Sequence, residues 1–322
     1  MRIKTLIGIL VSLIFLFLAF RNVSFKELFD SLQKANYIYL IPAIALVYLS
    51  MWLRAIRWKY LFEPIKEVRM SSLFSSLMIG FMANNILPAR IGEFVRAYSI
   101  GKKENLSKSL SLATIVVERI LDGFVLLVFL FISLIFFHFP NWVKKTGISL
   151  LIFQILILLL FFFLKRYKEN VSHLFNLLFS PISIHLPQKA NEILFSFIVG
   201  FDVLKGKKQI KFVFLFSFLM WIVIAVLTSL VFLSFRFELP LYGSFLFIVI
   251  VNFGIIMIPL SPGFIGTYQF FCITALAFWG INESEALGFS IVYHATQYFP
   301  VTLLGLFYLW KESISFKEIK RQ

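Results

Sequence analysis

Residues 71–100 read SSLFSSLMIGFMANNILPARIGEFVRAYSI, an apolar stretch too long for one bilayer crossing and broken at Pro88 and Gly92. A membrane helix needs about 20 residues. Proline lacks the backbone donor and disfavours helix at the residue before it, so the stretch predicts two half-helices joined by a loop. Arg54, Arg57, Lys59, Lys66 and Arg69 precede it, and Lys102, Lys103 and Lys108 follow. Short cytoplasmic loops carry the excess of Lys and Arg, so both flanks read as cytoplasmic and 71–100 as a re-entrant hairpin.

The rest of the chain agrees with a bilayer setting. Of 322 residues 60% are apolar, 42 are Phe and only 15% are charged, with a mean hydropathy of +0.90. Such a chain cannot cover itself with polar groups in water. Without water every backbone group must be satisfied internally, and long continuous apolar runs favour helices over a barrel's alternating strands. Full spans are expected at 5–20, 38–56, 110–137, 147–164, 212–235 and 286–310. The net charge of +15 would suggest nucleic acid in a soluble chain. Here the bases cluster at the ends of apolar runs, which excludes that partner and fits anionic lipid headgroups instead. One cysteine, Cys272, cannot form an intramolecular disulfide or a Cys metal cluster. The start, Met1-Arg2-Ile3-Lys4 followed by 5–20, reads as an uncleaved first span with a cytoplasmic N-terminus. Trp52, Trp58, Trp142 and Trp310 fall at span ends, as an interfacial aromatic belt requires.

A second broken stretch, 242–280, echoes the first. Pro262-Gly263-Phe264-Ile265-Gly266 shares P-x-x-I-G with Pro88-Ala89-Arg90-Ile91-Gly92. Each is followed by a long span bearing a polar pair, Glu118-Arg119 in one half and Tyr293-His294 in the other. The charge count places 242–280 as dipping in from the opposite face. The expected fold is an all-α polytopic membrane protein with about six full transmembrane helices and two re-entrant hairpins in an inverted repeat. Its first half is 1–164 with hairpin 71–100, and its second half 212–310 with hairpin 242–280. Between them 165–211 reads as cytoplasmic interfacial helices, and 311–322 as a cytoplasmic tail. Discontinuous helices in such repeats mark substrate sites, although Pro-Gly kinks in two unrelated hairpins would read the same.

Charges within the apolar stretches are costly, about 2.5–3.5 kcal/mol each on insertion scales. Arg90, Glu93 and Arg96 lie in the first hairpin, and Glu118, Arg119 and Asp122 in the span after it. Three bases and three acids can pair with one another and merely hold hairpin to span. They can also leave arginine donors for a phosphate-bearing headgroup, with Glu93, Glu118 and Asp122 orienting Arg90, Arg96 and Arg119. The path between leaflets is expected along Asn85, Pro88, Gly92, Ser261, Pro262, Gly263 and Gly266. No metal ligand set, cofactor motif or activated nucleophile is readable, so no catalytic residue is assigned.

The runs 85–96 (NILPARIGEFVR), 118–122 (ERILD) and 261–266 (SPGFIG) resemble the lysylphosphatidylglycerol synthase transmembrane-region family, flippase-like integral membrane proteins. The resemblance extends over nearly the whole chain. It implies a lipid or polyprenyl-lipid translocator, and not lysyl transfer, because the synthases' soluble aminoacyl-transferring domain has no counterpart after Trp310. The family commonly carries Glu where Gln269 stands and Arg where His294 stands. Losing both charges together looks like a neutralised ion pair, and shifts the headgroup assignment toward Arg90, Arg96 and Arg119. The expectation is a multi-pass transporter in the plasma membrane, both termini cytoplasmic, moving a phosphate-headgroup lipid between leaflets, with homo-oligomerisation left open. A membrane-embedded lipid-modifying enzyme, an accessory lipid-binding protein and a carrier of small soluble anions are the rivals.

Overall fold

The computed structural model describes residues 2–88, 90–136, 141–179 and 206–312, with 191, 195 and 198. Among the described residues the protein is all helix, with no strand. The helices are α1 (Arg2–Phe20), α2 (Phe25–Lys34), α3 (Leu40–Phe62), α4 (Met70–Ile86), α5 (Gly92–Glu104) and α6 (Lys108–Phe136). Then follow α7 (Asn141–Arg166), α8 (Lys168–Phe179), α9 (Lys207–Ser234), α10 (Leu241–Met257), α11 (Thr267–Ala277) and α12 (Glu283–Lys311). Among the described residues four segments, Tyr37–Phe62, Lys108–Phe136, Gly147–Leu164 and Lys207–Ser234, are long and apolar enough to cross a membrane. The first helix makes a fifth if it is joined to α2 across their 87° bend. The 29-residue α12 has the length as well, but Tyr293, His294, Thr296 and Gln297 lower the hydropathy of its middle. Beyond α8, the interfacial segment expected at 165–211 lies largely outside the described residues, as does the tail from 313.

Both broken stretches double back. Leu87 leaves the helix with φ −101° and ψ 145°, the extended conformation that a following proline imposes. The chain re-enters helix at Gly92, whose N–H donates to Asn84 Oδ1 at 2.8 Å. Gly92 sits against the Gly80 carbonyl and Asn84, where any Cβ would collide with α4. Arg69, ahead of α4, pairs with Glu104 at the end of α5 (3.0 Å), so the hairpin begins and ends at the same place. In the second hairpin a 3-10 turn, Pro262–Phe264, joins α10 to α11. Gly266, at φ +88°, caps α11 in a conformation that suits glycine alone. The two breaks share a backbone detail as well as a sequence. Arg90 (φ 52°) and Phe264 (φ 59°), two residues after the respective prolines, both occupy the left-handed region.

The packing of the two halves corresponds element by element. As α4 packs on α5 and α5 on α6, so α10 packs on α11 and α11 on α12. The contact of α4 with α12 is matched by that of α10 with α6, and α3 packs against its own counterpart α9. The hairpins enter this bundle from opposite ends. At one end Lys208–Glu63 (3.2 Å), Lys103–Glu312 and Arg69–Glu104 gather the limits of the first hairpin. At the other, Asn36 N–H donates to the Ser234 carbonyl (2.8 Å) and Ser24 N–H to Ser284 Oγ (3.0 Å), beside the limits of the second. The apolar core runs through α3, α4, α6, α9, α10, α11 and α12, with Trp221, Phe232, Phe247 and Phe289 among its large members.

The structure departs from the expected cytoplasmic flank at two arginines. Arg54 and Arg57 belong to no cytoplasmic flank. The helix α3 continues to Phe62, and Ala43, Val47, Ser50, Arg54, Arg57 and Leu61 fall on one helical face turned into the bundle. Arg57 is 1% exposed and Arg54 7%. Trp58 is likewise interior, fully buried, whereas Trp52 and Trp310 stay exposed as belt residues do; the side chain of Trp142 lies outside what is described.

Candidate functional site

Helices α3, α5, α6 and α9 converge on a chain of guanidinium and carboxylate groups. Glu118, 1% exposed, takes Arg96 Nη1 on one oxygen at 2.6 Å and Arg57 Nη2 on the other at 3.5 Å. Asp122, one turn along α6, takes Arg57 Nη1 at 2.6 Å, Arg119 Nη1 at 3.3 Å and Arg54 Nη1 at 3.6 Å. Trp221 Nε1 donates to Asp122 as well (3.2 Å), and Arg57 also donates to Ser217 (3.2 Å). Arg119 Nε closes the chain on Glu93 at 2.9 Å. The Arg96 guanidinium lies 3.6 Å over the Trp58 ring, and Trp58 Nε1 donates to Thr114 (2.9 Å).

The chain is not neutral. Arg54 and Arg57 join Arg90, Arg96 and Arg119, so five guanidinium groups face three carboxylates. Arg90 stands apart from the pairing. Among the described residues it makes no ion pair; its guanidinium lies 5.7 Å over the ring of Phe264, and its Nε is buried without a hydrogen-bond partner. That contact joins the tips of the two hairpins. Asn85 reinforces the junction, donating to Thr302 Oγ1 (2.8 Å) while its carbonyl accepts from Tyr298 Oη (3.2 Å).

Beside this junction lies a cavity of about 850 Å³. Arg54, Arg90, Glu93, Arg119 and Asp122 line it, whereas Arg57, Arg96 and Glu118 lie behind its wall. Asn84, Asn85 and Phe264 line it from the hairpin tips. Toward the outer surface its wall turns apolar, with Phe153 and Leu160 of α7 and Met257 at the end of α10, all more than half exposed. The hollow therefore runs from buried charge to the apolar exterior.

The remaining sequence candidates fall around it. Ser261 hydrogen-bonds Ser12 of α1 at 2.8 Å, and Gly263 abuts the Asn85 backbone. Gln269 Oε1 accepts from Gly266 N–H (2.8 Å), and its Nε2 lies 3.2 Å from His294 Nδ1. The Gln269–His294 contact joins the first turn of α11 to α12, as Glu93–Arg119 joins the first turn of α5 to α6. His294 lines the cavity and stacks on Tyr268, ring centroids 4.3 Å apart. Sequence reasoning missed Arg54, Arg57 and Trp221. The recurrence of Ala43, Val47, Ser50, Arg54 and Arg57 at helical spacing was the signal available for the two arginines.

Known proteins give the arrangement a context. The lysylphosphatidylglycerol synthase TM region family matches residues 5–305. A UPF0104 membrane protein of Methanothermobacter thermautotrophicus is 25% identical over 300 residues, 87% of either chain. One from Pyrococcus horikoshii is 24% identical over 318 residues, 93% of either chain. Glycosyltransferase AglD of Haloferax volcanii is 29% identical over 126 residues, 38% of this chain and 20% of that protein. No solved structure matches.

Proposed function

Because the chain belongs to the lysylphosphatidylglycerol synthase transmembrane-region family, we propose that it is a lipid translocator, moving lipids with a phosphate-bearing headgroup between leaflets. The observation that carries this reading is the excess of guanidinium over carboxylate in a buried chain, with Arg90 left unpaired where it lines the cavity. Arg90 is half-buried and shares its nearby acid, Glu93, with Arg119, and charge drawn out of water without an ion-pair partner of its own is costly. An anionic headgroup relieves that cost, and the planar guanidinium fork matches phosphate oxygens. Arg90, Arg119 and Arg54 hold the phosphate in this scheme, and Glu93 and Asp122 orient the last two. Arg57, Arg96 and Glu118 stiffen the wall from behind. The acyl or prenyl tail leaves through the apolar opening between α7 and the end of α10. Gln269 and His294 shape the second-half side, and the breaks at Pro88 and Pro262 let the two tips separate. The hairpins enter from opposite membrane faces, and the protein sits in the plasma membrane with both termini cytoplasmic.

Arg90→Ala tests this directly, because its removal orphans no carboxylate. In proteoliposomes with a headgroup-labelled anionic lipid, the variant should fold as wild type and lose translocation by about tenfold or more. Wild-type transport by Arg90→Ala defeats the assignment. The partial likeness to a glycosyltransferase favours a second reading, an accessory module that binds lipid for an enzyme. It predicts Arg90-dependent lipid binding with no transbilayer movement.

A further inference from the structure

The two halves give the cavity unequal chemistry. All its carboxylates and guanidiniums come from the first half. The corresponding wall from α10, α11 and α12 presents Asn252, Tyr268, His294, Gln297 and Tyr298, with no Asp, Glu, Lys or Arg among them. Its amides are half used. Asn252 Nδ2 donates to the Ile248 carbonyl (2.8 Å), leaving Oδ1 without a partner among the described residues. Gln297 Nε2 donates to Tyr268 Oη (2.9 Å), leaving its Oε1 likewise. On the first-half side Gln154 of α7 is spent, its Nε2 turned to the Ile120 carbonyl and its Oε1 set against Gly123 of α6. Two second-half amide oxygens, of Asn252 and Gln297, thus seek donors across a space whose opposite wall carries excess positive charge.

Donors are hydroxyl, amide N–H or ammonium groups. Ammonium is disfavoured, because its charge adds to an already positive set at low dielectric. From this we infer that the transported headgroup carries, beyond its phosphate, an uncharged hydroxyl-rich group such as a polyol or sugar. The phosphate sits toward Arg90 and Arg119, and the hydroxyls toward Asn252 and Gln297. The stacked Tyr268–His294 pair offers an aromatic face on which the C–H side of such a ring can lie. This rests on the phosphate-lipid reading above and narrows it to one class of head.

Native mass spectrometry of the purified full chain, titrated with defined lipids, tests it. The probes are phosphatidic acid, phosphatidylethanolamine, lysylphosphatidylglycerol, phosphatidylglycerol, phosphatidylinositol and a glycosyl-phosphoryl polyprenol. The expected result is about tenfold or tighter binding of at least one of the last three over phosphatidic acid and the two amine-bearing lipids, since pockets built to pair a hydroxyl reject ligands lacking it. Which of the three leads separates a glycerolipid source from a polyprenyl one. Asn252→Ala and Gln297→Ala should bring that ratio below about threefold. Equal binding of phosphatidic acid and the hydroxyl-bearing lipids, or preference for an amine-bearing head, overturns the inference and leaves the phosphate reading standing. If Arg90→Ala binds every anionic lipid as wild type does, the phosphate reading fails too.

Discussion

Glu118 holds two guanidinium groups, Arg96 at 2.6 Å and Arg57 at 3.5 Å, and removing its charge leaves Arg96 buried without a carboxylate and Arg57 with Asp122 alone. Breaking a buried pair by deleting one partner costs about 3–5 kcal/mol. Glu118→Gln should therefore lower the thermal midpoint in detergent markedly, whereas Arg90→Ala, which strands no acid, should leave it near wild type. Equal midpoints for the two variants would show that Glu118 holds no counter-charge of consequence. The same residues show what a sequence can and cannot disclose. Arg90, Glu93, Arg96, Glu118, Arg119 and Asp122 stand out because charge inside an apolar run is rare. Arg54 and Arg57 do not, since they close an apolar run just as a cytoplasmic flank does. Their helical spacing with Ser50 distinguishes the two cases, but only once the packing face of α3 is known. That oversight made the charge set look neutral.

Among the elements, the two hairpins carry the reading. Proline and glycine announce their breaks, and the shared P-x-x-I-G places them in register, so their existence was legible. The meeting of their tips was not, because a contact between α4 and α12 or between Arg90 and Phe264 is set by tertiary packing. In the proposed translocation the first tip must come away from α12, since Asn85 ties it to Thr302 and Tyr298 of that helix. A short reducible bis-methanethiosulfonate bridge between Asn85→Cys and Thr302→Cys, in a Cys272→Ala background, should therefore arrest translocation, and reductant should restore it. Undiminished transport with the bridge fully formed would mean that the junction stays closed throughout the cycle. The two side chains touch at 2.8 Å, a gap that such a linker spans.

The whole molecule has two distinct ends. Lys208–Glu63 and Lys103–Glu312 gather the limits of the first hairpin at one end of the bundle, and Asn36–Ser234 and Ser24–Ser284 those of the second at the other. If the bundle axis crosses the bilayer, the loops about Glu67 and Ser107 face one compartment and those about Glu238 and Glu283 the opposite one. All four side chains are exposed. Single cysteines at these positions, in a Cys272→Ala background and treated with a membrane-impermeant maleimide, should label in two pairs. Glu67→Cys and Ser107→Cys should react only from the cytoplasm, because Lys66, Arg69, Lys102, Lys103 and Lys108 are held on that side. Glu238→Cys and Glu283→Cys should react only from outside. A hairpin that spanned fully would place Ser107 opposite Glu67, and every later loop would exchange sides. Labelling of that pair from different compartments would therefore remove the inverted repeat, and with it the reason for two breaks to meet around one charged cavity.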